Sequence, residues 1–275
     1  FRALTIAGSD SCGGAGIQAD LKSFQANGVY GMSVITAVTV QNTMGVFGIQ
    51  DITPEIIEGQ INAIFEDIRV DAVKIGMVSK IESIKAIAKS LRNVKNLPKV
   101  VLDPVMISKS GFNLLSRDAK DTLVKELFPL AELITPNLPE AEEILGIEIK
   151  NVDEMKEAAL KLKELGPKAV LVKGGHLEDD ATDLLFDGEN FILLPQERIN
   201  TTHTHGTGCT LSSAIAANLA KGMTIEEAVR AGKKYITTAI EHGFELGKGV
   251  GPTNQFYELY KASGKYEELT GENED

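Results

Sequence analysis

The run Thr204-His205-Gly206-Thr207-Gly208-Cys209-Thr210 holds the residue types best suited to chemistry. Leu211, Ala214, Ile215 and Leu219 follow on one apolar helical face and Lys221-Gly222 closes the pattern, so Gly206 and Gly208 sit where a loop enters a helix. Glycine lets backbone N–H groups approach a ligand, and a helix N-terminus adds partial positive charge, so the turn suits an anion. Cys209 falls in the first turn, where the same dipole is expected to lower its thiol pKa and favour a thiolate. The alternative is a structural turn, with glycine for the bend and a small buried cysteine behind it. His203, His205 and Cys209 have neither zinc-finger nor helical His-x-x-x-His spacing, so the histidines are expected to pack or to bond to the loop backbone.

A second glycine loop, Gly8-Ser9-Asp10-Ser11-Cys12-Gly13-Gly14-Ala15-Gly16, follows the first strand and opens a helix over 17–27. Its glycines do not form G-x-G-x-x-G, and G-x-x-x-x-G-K-[ST] occurs nowhere, so neither standard nucleotide fingerprint applies. Asp20 lies one turn into that helix, as a dipole-favoured carboxylate or a pocket group. Gln41 and Asn42 end a long apolar strand, where side-chain amides either read a planar heterocycle or only terminate the strand.

Phosphoryl transfer needs charge neutralisation, supplied by Mg2+ together with lysine or backbone donors. Asp103 follows the strand Lys99-Val100-Val101-Leu102. Asn137-Leu138-Pro139-Glu140 follows Leu133-Ile134-Thr135 and starts a helix, so Glu140 either caps it or holds a hydrated Mg2+. Lys173, beside Gly174 and Gly175, ends a strand where a lysine reaches nucleotide phosphates or is a surface cation at a turn.

These groups need a scaffold. Short β-rich runs at 2–7, 33–40, 46–51, 72–75, 99–102, 133–135 and 169–172 alternate with amphipathic helical stretches. Several runs are continuously apolar, as in parallel strands covered on both faces. Thr53-Pro54-Glu55, Asn151 and the capping box Thr224-Ile225-Glu226-Glu227 mark helix starts. Residues 33–51 read as consecutive strands, and 181–195 as a hairpin around Asp187-Gly188-Glu189-Asn190. The expected fold class is α/β: a mainly parallel sheet with helices on both faces, right-handed crossovers and a small strand flap. One domain is expected over 1–263, followed by a frayed acidic tail over 264–275. In such a sheet Asp103, Asn137 with Glu140, Lys173 and the 206–209 turn share one edge, which points to an enzyme.

With 43% hydrophobic and 24% charged residues, the 275-residue chain can bury a substantial core. A net charge of −11 argues against nonspecific binding to nucleic acid or an anionic membrane. No apolar run is long enough to span a bilayer, and the start lacks a signal-peptide layout. Two cysteines argue against a disulfide framework and make a reducing cytoplasm the expected location.

Taken in order, the loop 7–22, Val34-Ile35-Thr36-Ala37, Gln41-Asn42-Thr43, Lys74-Ile75-Gly76-Met77, Asp103-Pro104-Val105-Met106, Asn137-Leu138-Pro139-Glu140, Lys173-Gly174-Gly175-His176 and His205-Gly206-Thr207-Gly208-Cys209 resemble the hydroxymethylpyrimidine/phosphomethylpyrimidine kinases of thiamin biosynthesis, in the ribokinase superfamily. The resemblance covers about residues 2–256. It implies a ribokinase-like fold and ATP- and Mg2+-dependent conversion of 4-amino-5-hydroxymethyl-2-methylpyrimidine to its monophosphate and then its diphosphate. It implies that Gln41 reads the pyrimidine edge, with Gly8, Asp20, Met77 and Val105 shaping the pocket. Asn137 and Glu140 match the superfamily's N-x-x-E Mg2+/phosphate motif, with Asp103 nearby. Lys173, Thr207 and Lys233 would contact nucleotide, and Gly206, Thr207, Gly208 and Cys209 would form the catalytic turn. Cys209 stands where ribokinase-type sugar kinases carry an aspartate base. A cytoplasmic homodimer acting on a small molecule, without nucleic acid or membrane, completes the expectation. Pyridoxal kinase of the same branch is the nearest alternative, and a non-catalytic ligand-binding protein on this fold a remoter one.

Overall fold

The structure, a computed structural model, describes residues 1–107, 111, 114–115, 117–175 and 181–270. His176 and residues 271–275 lie outside the described residues. The first half runs β1 (Arg2–Ser9), α1 (Gly16–Ala26), β2 (Tyr30–Asn42), β3 (Gly45–Asp51), α2 (Pro54–Asp67), β4 (Ala72–Ile75), α3 (Ile81–Asn93), β5 (Lys99–Leu102) and α4 (Arg117–Leu127). The second half runs β6 (Leu133–Ile134), α5 (Leu138–Leu145), α6 (Val152–Glu164), β7 (Ala169–Val172), β8 (Asp183–Phe186), β9 (Phe191–Leu194), α7 (Thr207–Ala220), α8 (Ile225–Glu241), α9 (Tyr257–Ala262) and α10 (Tyr266–Thr270).

The strands form one sheet in the order β3-β2-β1-β4-β5-β6-β7-β8-β9. The six from β2 to β7 pair in parallel, while β3 closes one edge antiparallel and the β8–β9 hairpin the other. Side-chain alternation divides the core in two. Leu4, Ile6, Val73, Ile75, Val100 and Leu102 face Ile57, Ile61, Ile84, Ile87, Leu123 and Met155 from α2, α3, α4 and α6. Ala3, Ala72, Val101, Leu133 and Leu171 face Phe24 of α1, Leu211 and Ile215 of α7, and Val229 and Ile236 of α8. Each fully buried Ile or Leu stabilises this arrangement by about 1.5–3 kcal/mol.

Helix α7 departs from the expected single apolar face: it is buried on all sides from Thr210 to Ala220. Its small residues let it lie in the interior, and its hydroxyls are satisfied there, as where Ser212 Oγ donates to the Gly208 carbonyl at 2.8 Å. Strand β2 is longer than the 33–40 run because it pairs at both ends, Tyr30 with Arg2 and Asn42 with Gly45. The expected frayed tail is helical over Tyr266–Thr270, where Tyr266 meets the Tyr257 ring edge-on at 5.4 Å.

Candidate active site

Parallel order carries Asp103, Thr135 and Lys173, just after β5, β6 and β7, to one edge of the sheet. Asp103 Oδ1 accepts from Thr135 Oγ1 at 3.0 Å and from Lys173 Nζ at 3.0 Å. Its other oxygen takes no hydrogen bond from the described residues. Burial pulls the Lys173 ammonium down, but the carboxylates of Asp103 and Glu140 outweigh it and hold the lysine charged.

Asn137 and Glu140 form a reciprocal capping box at the start of α5: Glu140 N–H donates to Asn137 Oδ1 and Asn137 N–H to Glu140 Oε2, both at 2.9 Å. The Asn137 amide oxygen is thereby committed to the helix. Burial pushes the Glu140 carboxyl up to about 7; Lys173 pulls it down and Asp103 pushes it up. Two carboxylates beside one lysine, with an open oxygen on Asp103, fit a hydrated divalent cation such as Mg2+.

Gly206 caps α7 in the left-handed conformation, φ 80°, where any Cβ would collide with the Gly14 carbonyl oxygen. Thr207 Oγ1 closes the turn on the Thr204 carbonyl at 2.8 Å. The first-turn N–H groups of Gly208 and Cys209 have no acceptor among the described residues, leaving a dipole-reinforced anion site. A Cβ on Gly208 would fall 3.2 Å from Asp103 Oδ2 and 3.3 Å from Lys173 Nζ, so glycine lets the turn lie against the Asp103–Lys173 pair.

The expected thiolate at Cys209 is not what the site favours. Burial pushes the thiol up to about 11; Lys74 and the Gly16 N–H favour the anion, but Asp20 and Asp103 oppose it. Asp20 sits beneath the turn, fully buried, with both oxygens 2.9 Å from Lys74 Nζ. Thr5 Oγ1 and Ser213 Oγ each donate to it at 2.6 Å. Lys74 is fully buried too; burial lowers its pKa, yet Asp20, Cys209 and Asp103 together raise it. Lysine inside the buried apolar run Ala72–Ile75 is the sequence signal for this pair, and no strand-end motif announces it.

The first glycine loop lies against the same turn. Met77 Sδ would be 3.2 Å from a Cβ on Gly8, so a side chain there would press on the Met77 thioether. Gln41 Oε1 accepts from Thr39 Oγ1 at 3.1 Å, and Val105 N–H donates to the Asp103 carbonyl at 2.8 Å. Lys233 pairs with Asp183, whose other oxygen accepts Gly174 N–H at 2.8 Å, so it stands behind the 173–175 turn.

His205 bonds to a side chain rather than to the loop alone: Nε2 meets Asp10 Oδ2 at 2.8 Å. Burial pushes the Asp10 carboxyl up, but the His205 bond and the N–H groups of Cys12 and Ala15 prevail and hold it at about 2. Asp10, Cys12 and His205 are the residues among those described whose donor atoms cluster as metal ligands do. Asp10 Oδ2 already receives Gly14 N–H, Ala15 N–H, the Cys12 thiol and His205, so its bonding capacity is spent within the loop.

The phosphomethylpyrimidine kinase family model matches residues 10–254. The chain is 53% identical over 263 residues to the hydroxymethylpyrimidine/phosphomethylpyrimidine kinase of Rhizobium meliloti (strain 1021), covering 94% of this chain and 98% of that one. It is similar to the crystal structure of phosphomethylpyrimidine kinase from Clostridium difficile 630, with 55% identity, a TM-score of 0.79 and coverage of 87% and 99%. It is also similar to an ADP complex of Bacillus subtilis pyridoxal kinase, with 43% identity, a TM-score of 0.86 and coverage of 94% and 98%.

Proposed function

The chain belongs to the phosphomethylpyrimidine kinase family, and from that membership we infer that it phosphorylates 4-amino-5-hydroxymethyl-2-methylpyrimidine, and then the resulting monophosphate, at the expense of ATP. The observation that carries this reading is the convergence of Asp103, Glu140, Lys173 and the open N–H groups of Gly208 and Cys209 on one sheet edge. In the first step the hydroxymethyl oxygen bonds to the γ-phosphorus as the bond to the ADP oxygen breaks, and the hydroxyl proton leaves to solvent. In the second, an oxygen of the monophosphate attacks a second ATP in the same way and ADP again departs.

The transition state spreads negative charge over the transferred group, so positioning and charge neutralisation dominate its stabilisation. Lys173 and the α7 first turn meet that charge. Mg2+, when bound, would neutralise the nucleotide phosphates, and Asp103 and Glu140 would hold it, with Asn137 orienting Glu140. Thr207 shapes the turn, and Lys233 steadies the 173–175 turn through Asp183. Cys209, holding its proton, serves as a neutral wall of the anion site rather than as a base. Gln41 would read the ring edge, with Gly8, Met77 and Val105 around it and Asp20 supporting the floor through Lys74.

One domain over 1–263, a cytoplasmic location and a homodimer complete the reading. Phe47, Met44 and Val40, 66%, 61% and 62% exposed on the β2–β3 flap, favour an apolar contact with a second copy, which sedimentation equilibrium tests. Among the described residues no helix is long and apolar enough to cross a membrane. The TM-score of 0.86 to a pyridoxal kinase keeps a second heterocycle in play. Turnover of hydroxymethylpyrimidine, its monophosphate and pyridoxine, measured side by side, separates them: the reading expects both pyrimidines to exceed pyridoxine, and the reverse order would overturn it.

A further inference from the structure

We propose that Ser11, Asp10 and His205 form a positioning bridge that couples occupancy of the pocket at Gln41 to the geometry of the Gly206–Cys209 turn. The inference rests on the kinase reading above. At one end, Ser11 Oγ donates to the Gln41 carbonyl at 2.7 Å and accepts its N–H at 3.0 Å, holding the main chain of the residue assigned to the ring. One residue back, Asp10 gathers Cys12 N–H at 2.9 Å, Gly14 N–H at 3.1 Å and Ala15 N–H at 2.8 Å, which fixes the loop around a single carboxylate. His205 reaches that carboxylate at 2.8 Å from 195 residues away, and the pair is buried, with Asp10 3% and His205 7% exposed.

At its His205 end the connection is close-packed, while the Ser11–Gln41 end is held by its paired hydrogen bonds at the surface. A Cβ on Gly14 would collide with the His205 ring, and a Cβ on Gly206 with the Gly14 carbonyl. The His205 main chain is itself held, donating to Gly251 O at 3.0 Å and accepting from Thr253 N–H at 3.4 Å. A shift of the Gln41 strand end therefore passes through two close-packed residues to the helix start whose N–H groups face the transferred phosphoryl group. Close-packed contacts of this kind move together rather than deform independently. Asp10 and His205 are positioning residues, because their bonds run to the loops and not to the anion site.

The test compares His205→Gln, whose amide N–H can replace Nε2–H, with His205→Leu, which leaves Asp10 without that partner. The readouts are kcat, the Kd of hydroxymethylpyrimidine, and the tightening of that Kd by a non-hydrolysable ATP analogue. For His205→Leu we expect kcat to fall about tenfold to a hundredfold, as a small misplacement of the reacting groups does. The pyrimidine Kd alone should stay within about threefold while the nucleotide's effect on it vanishes, and His205→Gln should restore both. Wild-type kcat and coupling in His205→Leu, or a folded His205→Gln as impaired as the leucine variant, would overturn the bridge. So would a wild-type protein whose pyrimidine affinity ignores nucleotide. Should His205→Leu fail to fold, Ser11→Ala breaks the other end: lost coupling supports the bridge and unchanged coupling overturns it. A wild-type protein that phosphorylates no pyrimidine would instead overturn the kinase reading.

Discussion

Cys209 shows how local and tertiary electrostatics compete at one residue. The helix start, Lys74 and the Gly16 N–H all favour a thiolate, yet burial and the carboxylates of Asp20 and Asp103 prevail and the thiol sits near 11. At neutral pH it is a small uncharged group, suited to a site that must accept a hydroxyl in one step and an anionic phosphate in the next. Cys209→Ala is expected to cost less than about tenfold in either step, below the 10²–10⁴-fold that a general base contributes. Cys209→Asp should suppress the second step at least about a hundredfold more than the first, since like charges about 4 Å apart repel by about 4 kcal/mol at intermediate dielectric. Single-turnover rates with each pyrimidine measure this, and equal losses in both steps for the aspartate variant would count against it. Asp10 makes a separate prediction. Its folded pKa, about 2, lies below the ordinary 3.8, so its contribution to stability is complete above 3.8 and is lost as pH falls from there towards 2. The loss is about 2 kcal/mol. Urea midpoints between pH 5 and pH 2 should fall more steeply in the wild type than in Asp10→Asn, and parallel curves would refute the assignment.

At the scale of elements, the two glycines of the turn that opens α7 have different duties. Gly206→Ala must hold a left-handed backbone, about 1–2 kcal/mol, and also displace the Gly14 carbonyl, so both melting temperature and activity should drop. Gly208 lies inside α7 with ordinary dihedrals, where alanine gains about 1 kcal/mol of helix propensity. Its Cβ would crowd Asp103 Oδ2 and Lys173 Nζ at 3.2 and 3.3 Å. Gly208→Ala should therefore keep or raise the melting temperature while kcat falls about tenfold or more. Thermal melts beside kcat separate the two cases; a Gly208→Ala enzyme with full activity would mean that the turn does not bear on the pair. Strand runs and caps were legible because their signals are local: β4, β5 and β7 match their apolar runs, and Thr224 and Glu227 form the capping box their spacing announces. The interior position of α7 was not legible, since Ser, Thr and Ala suit a surface or a tight core equally well. Nor was the Asp10–His205 pair, whose partners no sequence spacing relates. The candidate site was readable as residue types at strand ends; what those residues bond to, as with Asp20 and Lys233, depends on tertiary packing.

For the whole molecule, the sheet order is what makes the chemistry possible. Parallel β5, β6 and β7 deliver Asp103, Thr135 and Lys173 to one edge, and α7, packed on the face opposite α2 and α3, brings its N-terminus down onto them. The first glycine loop, fed by β1, supplies the other wall and ties it to the turn. In the proposed reading a single edge thus offers a heterocycle pocket beside a phosphoryl site with a neutral thiol between charged groups, an arrangement that tolerates a substrate which gains a phosphate midway. In the proposed reading one site performs both transfers. The most direct test incubates the protein with ATP, Mg2+ and 4-amino-5-hydroxymethyl-2-methylpyrimidine and follows the products by mass spectrometry over time. A single site should give a monophosphate that rises and then gives way to the diphosphate as a second equivalent of ATP is consumed, with both lost in Lys173→Ala. Accumulation of the monophosphate with no diphosphate, or a Lys173→Ala variant that loses only one of the two products, would contradict it.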